Sequence, residues 1–225
     1  MKFRKLFFIA FLIKVKFAFA LPMDEDEIEF FYNARFGGDT SSVNQFLSDD
    51  FIYEHIPYVG LGVEVHYVDE SLLIIETIED SIPNLLQKGD RIYEHNNKIV
   101  DSLGLSTTGA VGDLQKLIVT KVGDSVFQEI KLPLKEIQKK QNLQSFLETI
   151  SNYANRWYEY DIDIIEIIST KTRAIVHYRW EGVKSPYGET YVFSSIEILH
   201  INRKTKLIER IKMFWSEKQF RDQFK

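Results

Sequence analysis

The texture of the chain changes at Tyr58 and changes back near Lys140, and this interruption constrains the fold more than any other feature. Inside it, short β-rich runs (60–68 and 72–78) are joined by Asp69-Glu70-Ser71. They are followed by Lys88-Gly89-Asp90-Arg91-Ile92-Tyr93, a turn at Asn96-Asn97-Lys98, and a strand over 126–132 entered through Gly123-Asp124. Helices are expected at 82–86 and at about 111–119. Outside it, residues 28–36 carry apolar side chains at helical spacing and stop at Gly37-Gly38. Residues 21–27 read as a solvated acidic lead-in. Asp39-Thr40-Ser41-Ser42 caps a second short helix, and 51–56 alternates as a strand. Residues 143–158 form an amphipathic helix with Leu143, Phe146, Leu147, Ile150, Tyr153 and Trp157 on one side. Strands follow at 162–169, 174–181, 190–201 and 207–215. The pattern is one α+β fold split by another: residues 21–57 and 140–225 as host, residues 58–137 as insert.

Composition narrows the function classes. Residues 1–20 combine a basic start, a short apolar run and the small-residue ending Ala18-Phe19-Ala20, the parts of a cleavable export signal. The expected location is periplasmic or secreted. That segment holds Lys2, Arg4, Lys5, Lys14 and Lys16 and no acidic residue, so of 28 basic residues 23 remain against 33 acidic ones. Such an acidic chain argues against nucleic acid and anionic membrane as partners. With no cysteine, disulfides, thiol catalysis and thiolate metal sites are excluded.

Gly60-Leu61-Gly62-Val63, Gly89-Asp90-Arg91-Ile92, the Asn-Asn-Lys turn, and Asp113-Leu114-Gln115-Lys116-Leu117-Ile118 before Gly123-Asp124-Ser125-Val126 occur in the order and spacing of PDZ domains. Residues 58–134 resemble that family, in its bacterial protease-associated form. The resemblance implies a groove in which a peptide adds a strand beside 63–67 while its terminal carboxylate meets backbone N–H groups of the glycine loop. Gly60, Leu61, Gly62, Val63 and Val65 would form one side. Val111, Leu114 and Gln115 on the 111–119 helix would form the other.

Joined end to end, the flanking segments resemble the SnoaL-like branch of the nuclear transport factor two-like superfamily. The residues carrying this are Phe31-Tyr32-Asn33-Ala34-Arg35-Phe36-Gly37-Gly38-Asp39, Phe46-Leu47-Ser48-Asp49-Asp50-Phe51-Ile52-Tyr53-Glu54-His55, His177-Tyr178-Arg179-Trp180-Glu181-Gly182, and Lys206-Leu207-Ile208-Glu209-Arg210 leading to Phe214-Trp215. The implied fold is a curved antiparallel sheet around about three helices, a cone with a cavity. The implied pocket residues are Phe31, Tyr53, His55, Trp157, Phe214 and Trp215, and a homodimer through the outer sheet face is the family expectation. Set against ketosteroid isomerase, a member of the superfamily, the base position falls on His55 and the tyrosine position on Phe31, which has no hydroxyl. The protonated-acid position falls near Glu197. That incomplete set argues against the isomerase reaction itself. His55 stays a candidate general base and Glu197 a weaker catalytic candidate, with the Glu197 side chain expected at solvent or a subunit contact.

Asp161 and Asp163 share a strand side, but two carboxylates at a strand's start read as a solvated edge, so no metal and no cofactor is expected. The leading expectation is an exported, non-enzymatic adaptor that captures a peptide terminus in the PDZ groove. The alternative is a small-molecule enzyme of isomerase, hydratase or cyclase type using His55, with a small apolar ligand in the cone.

Overall fold

The computed structural model describes residues 23–78, 85–216 and 223. The expected export signal and most of the expected 82–86 helix lie outside these residues. In chain order the elements are α1 (Glu25–Phe36), α2 (Thr40–Asn44), β1 (Leu47–Glu54), β2 (Tyr58–Gly60), β3 (Val63–Val68), β4 (Ser71–Thr77), β5 (Arg91–His95), β6 (Lys98–Ile99), β7 (Leu114–Thr120), β8 (Gln128–Pro133), β9 (Lys135–Ile137), β10 (Lys140–Asn142), α3 (Leu143–Ala154), β11 (Glu159–Ser169), β12 (Arg173–Val183), β13 (Thr190–Ile201) and β14 (Ile208–Trp215).

The acidic lead-in runs into the first helix: Glu25, Asp26 and Glu27 form its first turn. Asp24 caps α1: its Oδ1 accepts from the Glu27 amide at 2.8 Å, and Glu27 Oε2 accepts from the Asp24 amide at 3.0 Å. This reciprocal box satisfies amides that the helix cannot, and Glu25, Asp26 and Glu27 face the positive end of the helix dipole. Asp24→Ala should therefore cost about 1 kcal/mol in urea unfolding, with Asp24→Ser recovering most of it. Asp39 caps α2 by accepting from the Ser42 amide at 3.0 Å, without a reciprocal partner. Hydrogen bonds from the Ser42 hydroxyl, the Ser42 amide and the Ser41 hydroxyl hold its carboxyl down at about 2.

Two sheets follow. The first has the order β10-β1-β14-β13-β12-β11, antiparallel except that β1 runs parallel to β14. Alternation along β12 to β14 buries Ala174, Val176, Tyr178, Trp180, Leu199, Ile211 and Met213 against Ile28, Phe31, Tyr32 and Phe36 of α1, Val43 of α2, and Phe146 and Ile150 of α3. The helices thus cover one face. The other face leaves Ile165, Ile168, Ile175, Ile196 and Phe214 exposed. Phe214, expected in the pocket, lies on this outer face opposite Ile196, because the two-residue period puts it between the inward Met213 and the half-buried Trp215.

The second sheet has the order β3-β4-β5-β7-β8, with β6 paired to β5 and a β2–β9 ribbon beside it. Its core is separate: Leu61, Leu72, Ile74, Leu86, Ile92, Val100, Leu117, Val119, Leu132 and Leu134. The hairpins at Asp69-Glu70 and Asn96-Asn97 use paired positive φ values (49° and 56°, 50° and 64°), the tight-turn geometry that matches strand twist.

Here the peptide-groove reading fails. The 111–119 segment is not a helix; it ends a glycine-rich loop and becomes strand β7. Gly109 and Gly112 sit at φ +143° and +97°, outside helical space, just where the helix should begin. From Gln115 onward burial alternates through Leu117 and Val119, and Ile118-Val119-Thr120 is a β-branched run that favours a strand. Val111 and Leu114 are exposed, and Gln115 is buried on the His95–Asn96 turn at 2.8 Å from each. Of the other groove residues, Gly60 is paired with Lys135, Leu61 is core, and Val63 and Val65 pack half-buried on that core in β3. Gly62 holds φ +71° while its carbonyl accepts from the Ile78 amide at 2.8 Å. Among the described residues no helix stands opposite β3, so the expected groove lacks its second wall, and the adaptor reading is corrected.

Candidate active site

A buried polar cluster lies between α1 and the first sheet. Glu197 is fully buried on the inward row of β13, not at solvent or a subunit contact. Its Oε2 accepts from the Tyr32 hydroxyl at 2.7 Å and from Arg35 Nη1 at 2.7 Å. Its Oε1 accepts from the Tyr53 hydroxyl at 2.9 Å and from the Tyr178 hydroxyl at 3.2 Å. Arg35 Nη2 donates to the Tyr53 oxygen at 2.9 Å, closing the network.

Each member arrives by a simple periodicity. Tyr32 and Arg35 are three apart on α1 and share its buried face, with Phe31 and Phe36 beside them. Tyr53 alternates inward with Phe51 on β1, and Tyr178 with Val176 and Trp180 on β12. The Arg35 guanidinium lies 5.1–5.8 Å from the ring centroids of Tyr32, Phe36, Tyr53 and Phe146. Burial pulls this cation toward its neutral form, but Glu197 beside it outweighs that and raises its pKa well above the ordinary arginine value. Burial, with Glu197 adding, raises Tyr32 and Tyr178 well above the ordinary phenol value. These hydroxyls are thus neutral donors with their protons committed to one carboxylate.

Phe31, the position the isomerase comparison marked, is core and packs edge-on to Tyr32 at 5.5 Å. The tyrosine of α1 that reaches Glu197 is its neighbour, Tyr32. The signal for it was Arg35: an arginine among apolar helix positions announces a buried acid partner, and Tyr32 lies one turn before it.

His55 stands just past β1, half-buried, with its ring edge-on to Tyr53 at 5.0 Å. Its Nε2 lies 3.0 Å from Gln141 Oε1. The Gln141 amide nitrogen donates to Thr149 Oγ1 at 2.8 Å and to the Ser145 carbonyl at 3.4 Å. That carbonyl only accepts, so the Gln141 amide cannot be turned round, and its oxygen must face His55. The neutral imidazole therefore carries its proton on Nε2 and its basic lone pair on Nδ1. Burial, the largest cause, lowers the His55 pKa below the ordinary histidine value; Lys139 and Arg35 push the same way, against Gln141 and Glu64. At neutral pH this side chain is a base with a defined basic atom.

Trp157 and Trp215 are half-buried, Trp157 against Trp180 at 4.6 Å and Trp215 against Phe193 at 5.0 Å. Asp161 and Asp163 are exposed on β11, and among the described residues no group of three or more His, Asp or Glu side chains is placed to hold a metal ion.

No protein family and no curated protein matches the sequence. Among solved structures, the chain is similar to a putative SnoaL-like polyketide cyclase from Shewanella putrefaciens CN-32, with TM-score 0.42 and 8% identity over 88% of this chain and 84% of that one. It is similar to a putative polyketide cyclase from Acidithiobacillus ferrooxidans, with TM-score 0.42 and 6% identity over 87% of this chain and 89% of that one. A third is AusH from Aspergillus nidulans, with TM-score 0.39 and 12% identity over 86% of each chain. Likenesses this distant assign no activity. The chain itself is a sheet-dominated α+β protein whose described residues form two six-stranded sheets, a two-stranded ribbon and two cores.

Proposed function

We propose that the protein is a small-molecule enzyme of isomerase, hydratase or cyclase type, built on a SnoaL-like cone, with His55 as general base. The observation that carries the reading is the His55–Gln141–Thr149 chain, which leaves a neutral imidazole with Nδ1 as its basic atom at the edge of a buried polar cluster. A base held this way abstracts a proton from carbon next to a carbonyl or from a bound water. Glu197 does not share that role: its two oxygens are occupied by four donors, so it holds the interior together rather than moving protons.

The test is deuterium incorporation from D2O into a panel of cyclic and aromatic ketones, read by mass spectrometry. His55→Gln should lower the exchange rate by about 10²–10⁴-fold. The wild-type rate should fall as pH drops, with a midpoint below the ordinary histidine value, because only the unprotonated imidazole accepts a proton. A variant that folds normally and exchanges at the wild-type rate overturns the assignment.

A further inference from the structure

The segment joining the second sheet back to the first meets the backbone of His55. The His55 amide donates to the Lys139 carbonyl at 3.0 Å, just before Lys140 enters β10. The Lys139 side chain reaches the other way, forming an ion pair with Glu64 of β3 and lying 3.7 Å from Glu76 of β4. Glu64 and Glu76 are direct cross-strand partners. Two carboxylates opposite each other repel, and the ammonium between them removes that cost. Lys139 is only 20% exposed and Glu64 31%, so the pair is shielded better than a surface salt bridge.

We propose that Glu64 and Lys139 are positioning residues for His55, through which the second sheet sets the placement and charge environment of the base. The proposal rests on the reading of His55 as the base. Its geometry is that of a clasp. The lysine's head is fixed on the second sheet, its backbone carbonyl holds the His55 amide, and the His55 ring is held separately by Gln141. The charged and titratable groups that act on the imidazole or touch it are Arg35 of α1, Tyr53 of β1, Glu64 of β3 and Lys139 of the joining segment. Glu64 stabilises the imidazolium, while Lys139 and Arg35 oppose it. The second sheet therefore supplies one charge of each sign.

This arrangement separates an electrostatic role from a merely structural one. Glu64→Gln and Lys139→Met both break the ion pair, so a structural role shifts His55 the same way in each. Under the proposal they act oppositely. Removing the carboxylate lowers the His55 titration midpoint; removing the ammonium raises it. The experiment is NMR titration of the imidazole in the full chain, with the His55 resonance assigned by its loss in His55→Gln, and Lys139→Arg expected to keep the wild-type midpoint. Opposite shifts support the proposal; parallel shifts, or none, overturn it. The readout does not depend on catalysis. If His55→Gln leaves ketone exchange intact while the shifts are opposite, the enzyme reading fails and the coupling stands. Loss of exchange with no opposite shifts gives the reverse.

Discussion

Glu197→Gln should destabilise the first core by about 3–5 kcal/mol, the cost of leaving a buried cation without its partner. The substitution preserves volume, so no cavity contributes. What changes is chemistry: one carboxylate oxygen becomes an NH2 group facing donors. On Oε2 it would oppose Arg35 Nη1 and the Tyr32 hydroxyl; on Oε1 it would oppose Tyr53 and Tyr178. Either orientation leaves the Arg35 charge uncompensated beneath aromatic rings. At about 2–4 °C of melting temperature per kcal/mol for a chain of this size, the shift is large. All three tryptophans, at 157, 180 and 215, belong to the first core, so tryptophan emission excited selectively, away from the tyrosine band, reports that core. The paired variant Arg35→Met with Glu197→Gln should recover part of the loss, since it removes the stranded charge. If the double variant loses as much as the two single variants summed, the buried ion pair is not what holds this interior.

Trp180→Ala is the second large effect, with an expected loss of about 3–5 kcal/mol in the same fluorescence-monitored unfolding. The Trp180 ring is fully buried, stacked near Phe193 with centroids at 5.2 Å, edge-on to Trp157 at 4.6 Å and to Tyr153 at 5.9 Å. Phe193 hangs from β13 and Tyr153 from α3, so these rings are held in place and cannot collapse into the space. Gly182 supplies an independent check. A Cβ there would lie 2.4 Å from Trp180 Cη2, so the ring covers the position two residues ahead on its own strand. Gly182→Ala should therefore destabilise the wild type and cost less in the Trp180→Ala background, where Trp157 Cε3 at 3.1 Å still crowds the new Cβ. Equal effects in both backgrounds would mean that the ring does not occupy that space.

The strands of the first sheet were legible because their signal is local. β11 to β14 alternate inward and outward, and the expected 190–201 matches β13 without adjustment. The inward row of β13, with Phe193, Ser195, Glu197 and Leu199, could be read as a row but not assigned to a side. A glutamate in an apolar row is consistent with solvent until its partners are known, and those partners are 19 to 165 residues away. The 111–119 segment failed for the opposite reason. Its apolar spacing suits a helix, and only the positive φ at Gly109 and Gly112, together with pairing to β5 and β8, decides for a strand. The acidic start was misread because a capping box and a solvated tail share a composition.

By itself, the sequence determined where the chain changes character, which segments are amphipathic, and that no thiol chemistry is available. Those properties are set by neighbours within a few residues. The tertiary structure alone decided that Glu197 meets Arg35 and three tyrosines, that Gln141 directs the basic nitrogen of His55, and that Lys139 ties this site to Glu64. Each of these depends on desolvation and on the register between distant strands, and neither quantity exists until the chain has closed.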